Sequence, residues 1–398
     1  MSKGGQPLFH RAPPKSGGPI SARYYLLDAL ARRWPARRGA GDALVVYSPG
    51  HLGDMLQTVP MMRRLRREWP GRKIVWLVAP WSETLARRYE KFSDDICVFT
   101  PMQNVLLRNY ARGRQGLWRQ WKILMDLRRH GVEDLISTLP VNSIARFVAN
   151  ALLPKRWIGV DDRRPPRVHP LIRTEFFPYE KARHEAEFLL GMLKPMGVVS
   201  EEEDAALSYE VTDAERNEAA AFLKAEGVRE DRPLVLVAPG SGWNGKNWPA
   251  VRFGEVAARL TREGRVQVAW TGGTGEAGLF PASRQGHDFD WMGRLSLSLL
   301  AAVMERAALW VGNDSGPMHL AAAIGCPTVS LWGPTDPRKW GPHGEIHRAI
   351  RKRERCPDCI YGYRQMCEKP NHDCMTAIDV DEVAALCAAV LRGEGGTR

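Results

Sequence analysis

Short apolar runs that break into glycine-bearing turns recur along the 398-residue chain, and they restrict the fold more than any other feature. Ala43-Leu44-Val45-Val46-Tyr47, Ile74-Val75-Trp76-Leu77-Val78 and Leu135-Ile136-Ser137-Thr138-Leu139 are short and largely β-branched or apolar, as strands buried on both faces are. Helical stretches alternate with them, which predicts a parallel sheet covered by helices. Around residues 201–213 the chain turns acidic and loop-like, and beyond it the alternation resumes with Leu234-Val235-Leu236-Val237-Ala238, residues 266–270, Leu309-Trp310-Val311 and Thr328-Val329-Ser330-Leu331. The fold class expected is α/β, with two doubly wound Rossmann-like units that share no long-range sequence repeat. The boundaries expected are a basic, partly disordered extension over 1–40, a first unit over 41–207, a second over 208–375, and a final helix with a frayed end over 376–398.

Composition supports folded structure, with 44% apolar and 26% charged residues. Of the net charge of +12, +7 falls within residues 1–40, where eight Lys or Arg face one acid, Asp28. Further basic runs lie at 63–67, 108–129 and 163–164. A basic first half favours an anionic partner. No nucleic-acid motif accompanies these runs, so nucleic acid is not the expected partner. An anionic membrane surface or a phosphorylated glycolipid fits the charge, although a solvated face is the commonest fate of a charge run. No apolar run approaches the ~20 residues that span a bilayer, and the first residues lack the apolar centre of a signal peptide. A cytoplasmic protein is expected, peripheral on the inner face of the cytoplasmic membrane if it meets one. The stretch 24–34 reads either as an interfacial helix or, more simply, as a helix packed on the first unit.

Open parallel sheets bind ligands beyond the carboxyl ends of their strands, and the glycine-rich turns fall there. In Gly312-Asn313-Asp314-Ser315-Gly316-Pro317-Met318-His319, a strand passes into a helix whose unpaired N–H groups and partial positive charge suit phosphate. Gly316 admits close backbone approach, Ser315 adds a hydroxyl, and His319 falls in the first turn. Asp314 reads equally as a helix cap. The loop Pro239-Gly240-Ser241-Gly242-Trp243-Asn244-Gly245-Lys246-Asn247-Trp248-Pro249 offers Ser241 and Lys246 at another strand end. Glu276, after the turn 271–275, suits ribose hydroxyls. Three such loops at successive strand ends point to a nucleotide-activated donor.

Two motif matches in that loop mislead. Gly240-x-Gly242-x-x-Gly245 fits the dinucleotide fingerprint, and Gly240-x4-Gly245-Lys246-Asn247 nearly fits a P-loop. Both need a helix starting at the glycines, which Trp248-Pro249 delays, and Asn247 lacks the hydroxyl that a P-loop gives to magnesium. A P-loop NTPase or kinase therefore ranks below the nucleotide-sugar reading, and a binding module without catalysis stands as a third possibility. In the first unit, Asp54 follows Gly50 and Gly53 at a strand-to-helix turn. It suits either a general base for an attacking hydroxyl or a cap.

Taken in order, Gly53-Asp54 with Thr58 and Pro60, Pro239-Gly240 with Lys246-x-Trp248-Pro249, Gly272-Gly273 with Glu276, residues 312–321, and Gly333-Pro334-Thr335-Asp336-Pro337 resemble glycosyltransferase family 9. This is the heptosyltransferase family of lipopolysaccharide core assembly. The resemblance spans about residues 44–387 and implies a GT-B fold, with an N-terminal acceptor domain, a C-terminal donor domain and a final helix returning toward the first. It implies inverting transfer of heptose, or a related sugar, from ADP-heptose to a lipopolysaccharide inner-core acceptor, without a cofactor. Asp54 would be the base. Lys246, Ser315, Gly316 and His319 would lie near the donor diphosphate and Glu276 near the ribose, with Ser241 and Asp314 also in the donor site. Protein heptosyltransferases of the autotransporter type form the alternative within the resemblance. The family's usual Thr after the donor-site Asp is Ser315 here, and its usual basic residue ahead of Gly-Asp is not evident in residues 49–52.

Four of the seven cysteines cluster as Cys356-x2-Cys359-x7-Cys367-x6-Cys374. Four thiols led by C-x2-C can hold a structural zinc or iron, and the irregular spacing equally suits free thiols. Cys97, Cys326 and Cys387 read as small packed residues.

Overall fold

The computed structural model describes residues 28–33, 37–100, 114–140, 143–161, 168–180, 183–264, 266–279, 288–352 and 373–394. The chain divides into two compact units, Ala12–Ala206 and Leu207–Arg398.

In the first unit, β1 (Ala43–Ser48) leads to α1 (Leu52–Glu68), β2 (Ile74–Val78), α2 (Glu83–Arg88) and β3 (Asp95–Val98). There follow α3 (Arg114–His130), β4 (Val132–Pro140), α4 (Ser143–Leu152), β5 (Arg156–Asp161), β6 (Arg173–Pro178) and α5 (Glu185–Gly191). The strands pair in the order β3-β2-β1-β4-β5-β6, all parallel. β1 and β2 are buried at every position, because helices cover both sheet faces. Val45, Tyr47, Val75, Leu77 and Leu135 form the core with Leu124 of α3 and Val148 and Leu152 of α4.

Of the stretch 24–34, residues 28–33 are described; they are helical and packed inward. Ala31 joins the core, and the buried Asp28 carboxylate accepts hydrogen bonds from Asn150 Nδ2 (2.6 Å) and Arg146 Nε (3.0 Å). The basic run on α1 is engaged within its own unit. Arg63 donates to the carbonyl of Asp204 (2.9 Å), Arg67 pairs with the Asp204 carboxylate (3.0 Å), Arg66 with Asp94 (2.6 Å) and Arg64 with Glu68 (3.2 Å).

In the second unit, α6 (Asp213–Ala225) precedes β7 (Leu234–Ala238), α7 (Ala250–Gly264), β8 (Gln267–Trp270), β9 (Phe289–Asp290) and α8 (Leu297–Arg306). The unit ends with β10 (Leu309–Asn313), α9 (Gly316–Ile324), β11 (Thr328–Trp332), β12 (His347–Arg351) and α10 (Val380–Leu391). Strand order is β12-β11-β10-β7-β8-β9, again all parallel. Ranked by position in the chain, both sheets run 3-2-1-4-5-6, the doubly wound plan. The final helix α10 packs on α7, and its Val383, Ala384 and Cys387 enter the second unit's core.

The sequence patterns miss five strands. Four of these, β3, β6, β9 and β12, stand at sheet edges. Neither β3 nor β6 has a fully buried residue, and in β12 only Ile350 is buried, so no apolar run marks them. The fifth, β5, is interior, with a buried run from Trp157 to Val160 that its flanking charges obscure.

Candidate functional site

The strand order of the second sheet reverses between β7 and β10, so the chain leaves their carboxyl ends in diverging directions and opens a crevice there. Asn313, the last residue of β10, is fully buried and bridges the two strand ends. Its Nδ2 donates to the carbonyl of Pro239 (2.7 Å), and its Oδ1 accepts from the backbone N–H of Trp248 (3.0 Å). The loop 239–249 is thereby stitched to β10. Residues Asn244–Lys246 form one 3-10 turn, Asn247 is extended, and the helix begins only at Ala250. A P-loop or dinucleotide fingerprint needs its helix to start at the glycines, so this geometry excludes both.

Five of the expected donor residues come together at this point. Lys246 Nζ lies 2.8 Å from Asp314 Oδ2. Thr335, in the turn after β11, donates its hydroxyl to the same oxygen at 2.5 Å. Burial works to raise the Asp314 carboxyl, and Lys246 with Thr335 outweighs it, leaving the group below the usual carboxylate range. Ser315 precedes α9, with Gly316 and Pro317 in the first turn. The Ser315 hydroxyl oxygen is buried and has no hydrogen-bond partner among the described residues. His319 is 4% exposed, and burial pushes its imidazole down to about 4 against the opposing pull of Asp314. At neutral pH it is therefore uncharged, and Lys246 supplies the positive charge that faces Asp314.

The remaining two are placed differently. Ser241 turns into its own loop, with Oγ 2.8 Å from the carbonyl of Trp243 and 2.5 Å from Asn247 Oδ1, so it shapes the loop. Glu276, after β8, accepts from the N–H of Gly273 at 2.8 Å. Its carboxylate lies over the α-carbons of Gly240 and Gly272, where a side chain at either position would meet it. Thr335 and Asn313 had been noted only as motif members. The available signal was a polar residue closing or following an otherwise apolar strand.

In the first unit, Asp54 occupies the first turn of α1, and its Oδ2 accepts from the backbone N–H of His51 at 2.8 Å. The turn is braced from the strand β2 side, where Trp81 Nε1 (3.0 Å) and Ser82 Oγ (2.6 Å) donate to the carbonyl of Gly50. His51 stacks on Trp81 with ring centroids 5.5 Å apart. Asp54 thus serves as a cap and presents a carboxylate at the carboxyl end of β1.

Of the cysteine cluster, Cys356, Cys359 and Cys367 lie outside the described residues, and Cys374 is buried. Burial raises the thiols of Cys326, to about 12, and of Cys387, as packed and unreactive residues require.

Residues 191–366 match the model of glycosyltransferase family 9 (heptosyltransferase). Over 362 residues the chain is 25% identical to lipopolysaccharide heptosyltransferase 1 of Pseudomonas aeruginosa, covering 86% of this chain and 93% of that protein. Together these matches support a place for the chain in glycosyltransferase family 9. Two solved structures carry the same fold. A family 9 glycosyl transferase from Veillonella parvula is 22% identical with a TM-score of 0.71, over 88% of this chain and 98% of that one. The E. coli ADP-heptose lipopolysaccharide heptosyltransferase II is 19% identical with a TM-score of 0.65, over 88% and 99%. The two doubly wound units follow the GT-B plan, and of the motifs that resemble family 9, those at 239–249 and 312–321 are joined through Asn313.

Proposed function

We propose that this family 9 glycosyltransferase moves heptose, or a closely related sugar, from ADP-heptose to a lipopolysaccharide inner-core acceptor with inversion at the anomeric carbon. The observation that carries this reading is the convergence of Lys246, Asp314, Ser315 and His319 on the open start of α9 at the switch point of the second sheet. An anion at that position meets unpaired backbone N–H groups, a helix dipole and one lysine.

In the reaction the acceptor hydroxyl attacks the anomeric carbon as its proton passes to the Asp54 carboxylate. The bond from that carbon to the diphosphate oxygen breaks, and ADP leaves with both electrons. Lys246 and the N-terminus of α9 stabilise the charge that develops on the leaving diphosphate. Glu276 accepts hydrogen bonds from the ribose. The acceptor is an anionic glycolipid met at the cytoplasmic face of the inner membrane. The excess of basic residues in the first 40 positions supports that reading, and no helix among the described residues is long and apolar enough to cross a membrane.

The test is to incubate purified protein with ADP-heptose and a truncated core acceptor, following ADP release and the mass of the acceptor. A gain of one heptose per acceptor is expected, lost in Asp54→Asn with the fold retained. Full activity in that variant removes Asp54 from the role of base. Absence of transfer alongside transfer from another nucleotide sugar reassigns the donor.

A further inference from the structure

We propose that Thr335 is a positioning residue of the donor site, holding the Asp314 carboxylate in the one orientation that keeps Lys246 at the carboxyl ends of β7 and β10. The inference rests on the donor reading given above. The main chain at Asp314 is already fixed, since its N–H donates to the carbonyl of Leu331 (3.1 Å) and continues the ladder between β10 and β11. What remains free is rotation of the side chain. Thr335 Oγ1 (2.5 Å) and Lys246 Nζ (2.8 Å) share Oδ2. A carboxylate oxygen offers two in-plane acceptor positions, so occupation of one by the hydroxyl confines the ammonium to the other.

Thr335 can impose an orientation because its own turn is rigid. Upstream, Gly333 is packed so closely by Met375 and Cys374 that a side chain there would collide with both. Downstream, Asp336 Oδ1 caps the next helix by accepting from the N–H of Arg338 (3.0 Å), while Oδ2 pairs with Arg338 (2.8 Å) and Arg351 (3.2 Å). The hydroxyl is therefore held from both sides. A lysine has four rotatable bonds, and without a fixed counter-ion its ammonium spreads over many positions. When a diphosphate enters, the ammonium is already placed, and the hydroxyl goes on satisfying Asp314 as the lysine turns toward the new anion.

The test compares ADP binding by calorimetry in the full-length protein, in Thr335→Val, Thr335→Ala, Thr335→Ser and Lys246→Met, and in the doubles that join Val or Ala to Lys246→Met. Val should weaken ADP binding about tenfold, and Ser should restore it to within about threefold. In the Lys246→Met background the Val change should cost less than about twofold, because the ion that it positions is gone. Ala carries the same comparison if Val does not fold. Unchanged affinity in the single variants, or an effect that multiplies in full with Lys246→Met, overturns the assignment. Wild-type protein that does not bind ADP overturns the donor reading and this inference together. Binding that is indifferent to residue 335 overturns this inference alone.

Discussion

Lys246 Nζ stands 2.8 Å from Asp314 Oδ2, and it is the cation that keeps a carboxylate with 6% side-chain exposure ionised. Removing the lysine leaves that charge buried with its hydroxyl donor but without its counter-ion. Lys246→Met should lower the unfolding free energy by about 2 kcal/mol at pH 7, a figure kept below that of fully buried pairs because Lys246 reaches solvent. Asp314→Asn added to it should recover part of the loss. Urea unfolding of the two variants measures both effects, and a Lys246→Met protein as stable as wild type would show that the pair contributes nothing to the fold.

His319 and His347 are both pushed down to about 4, His319 by burial and Lys246, His347 by burial and the neighbouring Arg348 and His343. The ordinary histidine value is 6.5, so between about 6.5 and 4 the unfolded chain binds protons that the folded chain refuses. Stability is therefore present above that window and falls as pH drops through it. His319 alone should account for about 2 kcal/mol lost between pH 7 and 5. Unfolding curves for His319→Asn at the two pH values should show a smaller drop than wild type. An equal drop would place the acid sensitivity elsewhere.

Gly240→Ala puts a methyl group against the Glu276 carboxylate. That carboxylate is the far end of a flexible side chain, so it swings aside and the fold is kept, with stability changed by about 1 kcal/mol or less. Its hydrogen bond from Gly273 is lost with the movement. If Glu276 holds the ribose, ADP affinity should fall about fivefold in Gly240→Ala and similarly in Glu276→Ala. Calorimetry on both variants decides the matter, since an unchanged affinity for either removes Glu276 from the nucleotide.

Asn313→Ala strips the partner from two buried backbone groups at once, the carbonyl of Pro239 and the N–H of Trp248. Each unsatisfied group costs roughly 1–3 kcal/mol, so a total loss of about 3 kcal/mol is expected. The loop 239–249 should become susceptible to protease before the rest of the unit. Asn313→Asp should fare no better, because one oxygen then faces the carbonyl of Pro239. Proteolysis that starts elsewhere would show that the loop does not depend on this bridge.

Apart from β5, the interior strands of both sheets were readable in the sequence, because strands such as β1, β2 and β7 are buried throughout and leave unbroken apolar runs. Edge strands such as β6 bury little and leave no such trace. At the site, Lys246, Asp314 and His319 were legible as chemistry at strand ends. Their mutual distances were not, because Lys246 and Asp314 stand 68 positions apart in the chain. Ser241 shows the limit of reading by residue type. A hydroxyl in a glycine-rich loop suggests a phosphate ligand, yet here it closes on Trp243 and Asn247 of the same loop. Thr335 escaped for the converse reason, since its value lies in one acceptor on a different loop.

Parallel strands also give each unit two unlike ends. Every candidate donor residue in the second unit follows the carboxyl end of a strand, while the exposed turn between α6 and β7, which includes Glu230, enters at an amino end. A tether or fluorophore attached at Glu230 is thus set on the far edge of that sheet from the donor loops. Immobilisation through this turn would keep the support at the amino ends of that sheet's strands, away from the donor loops.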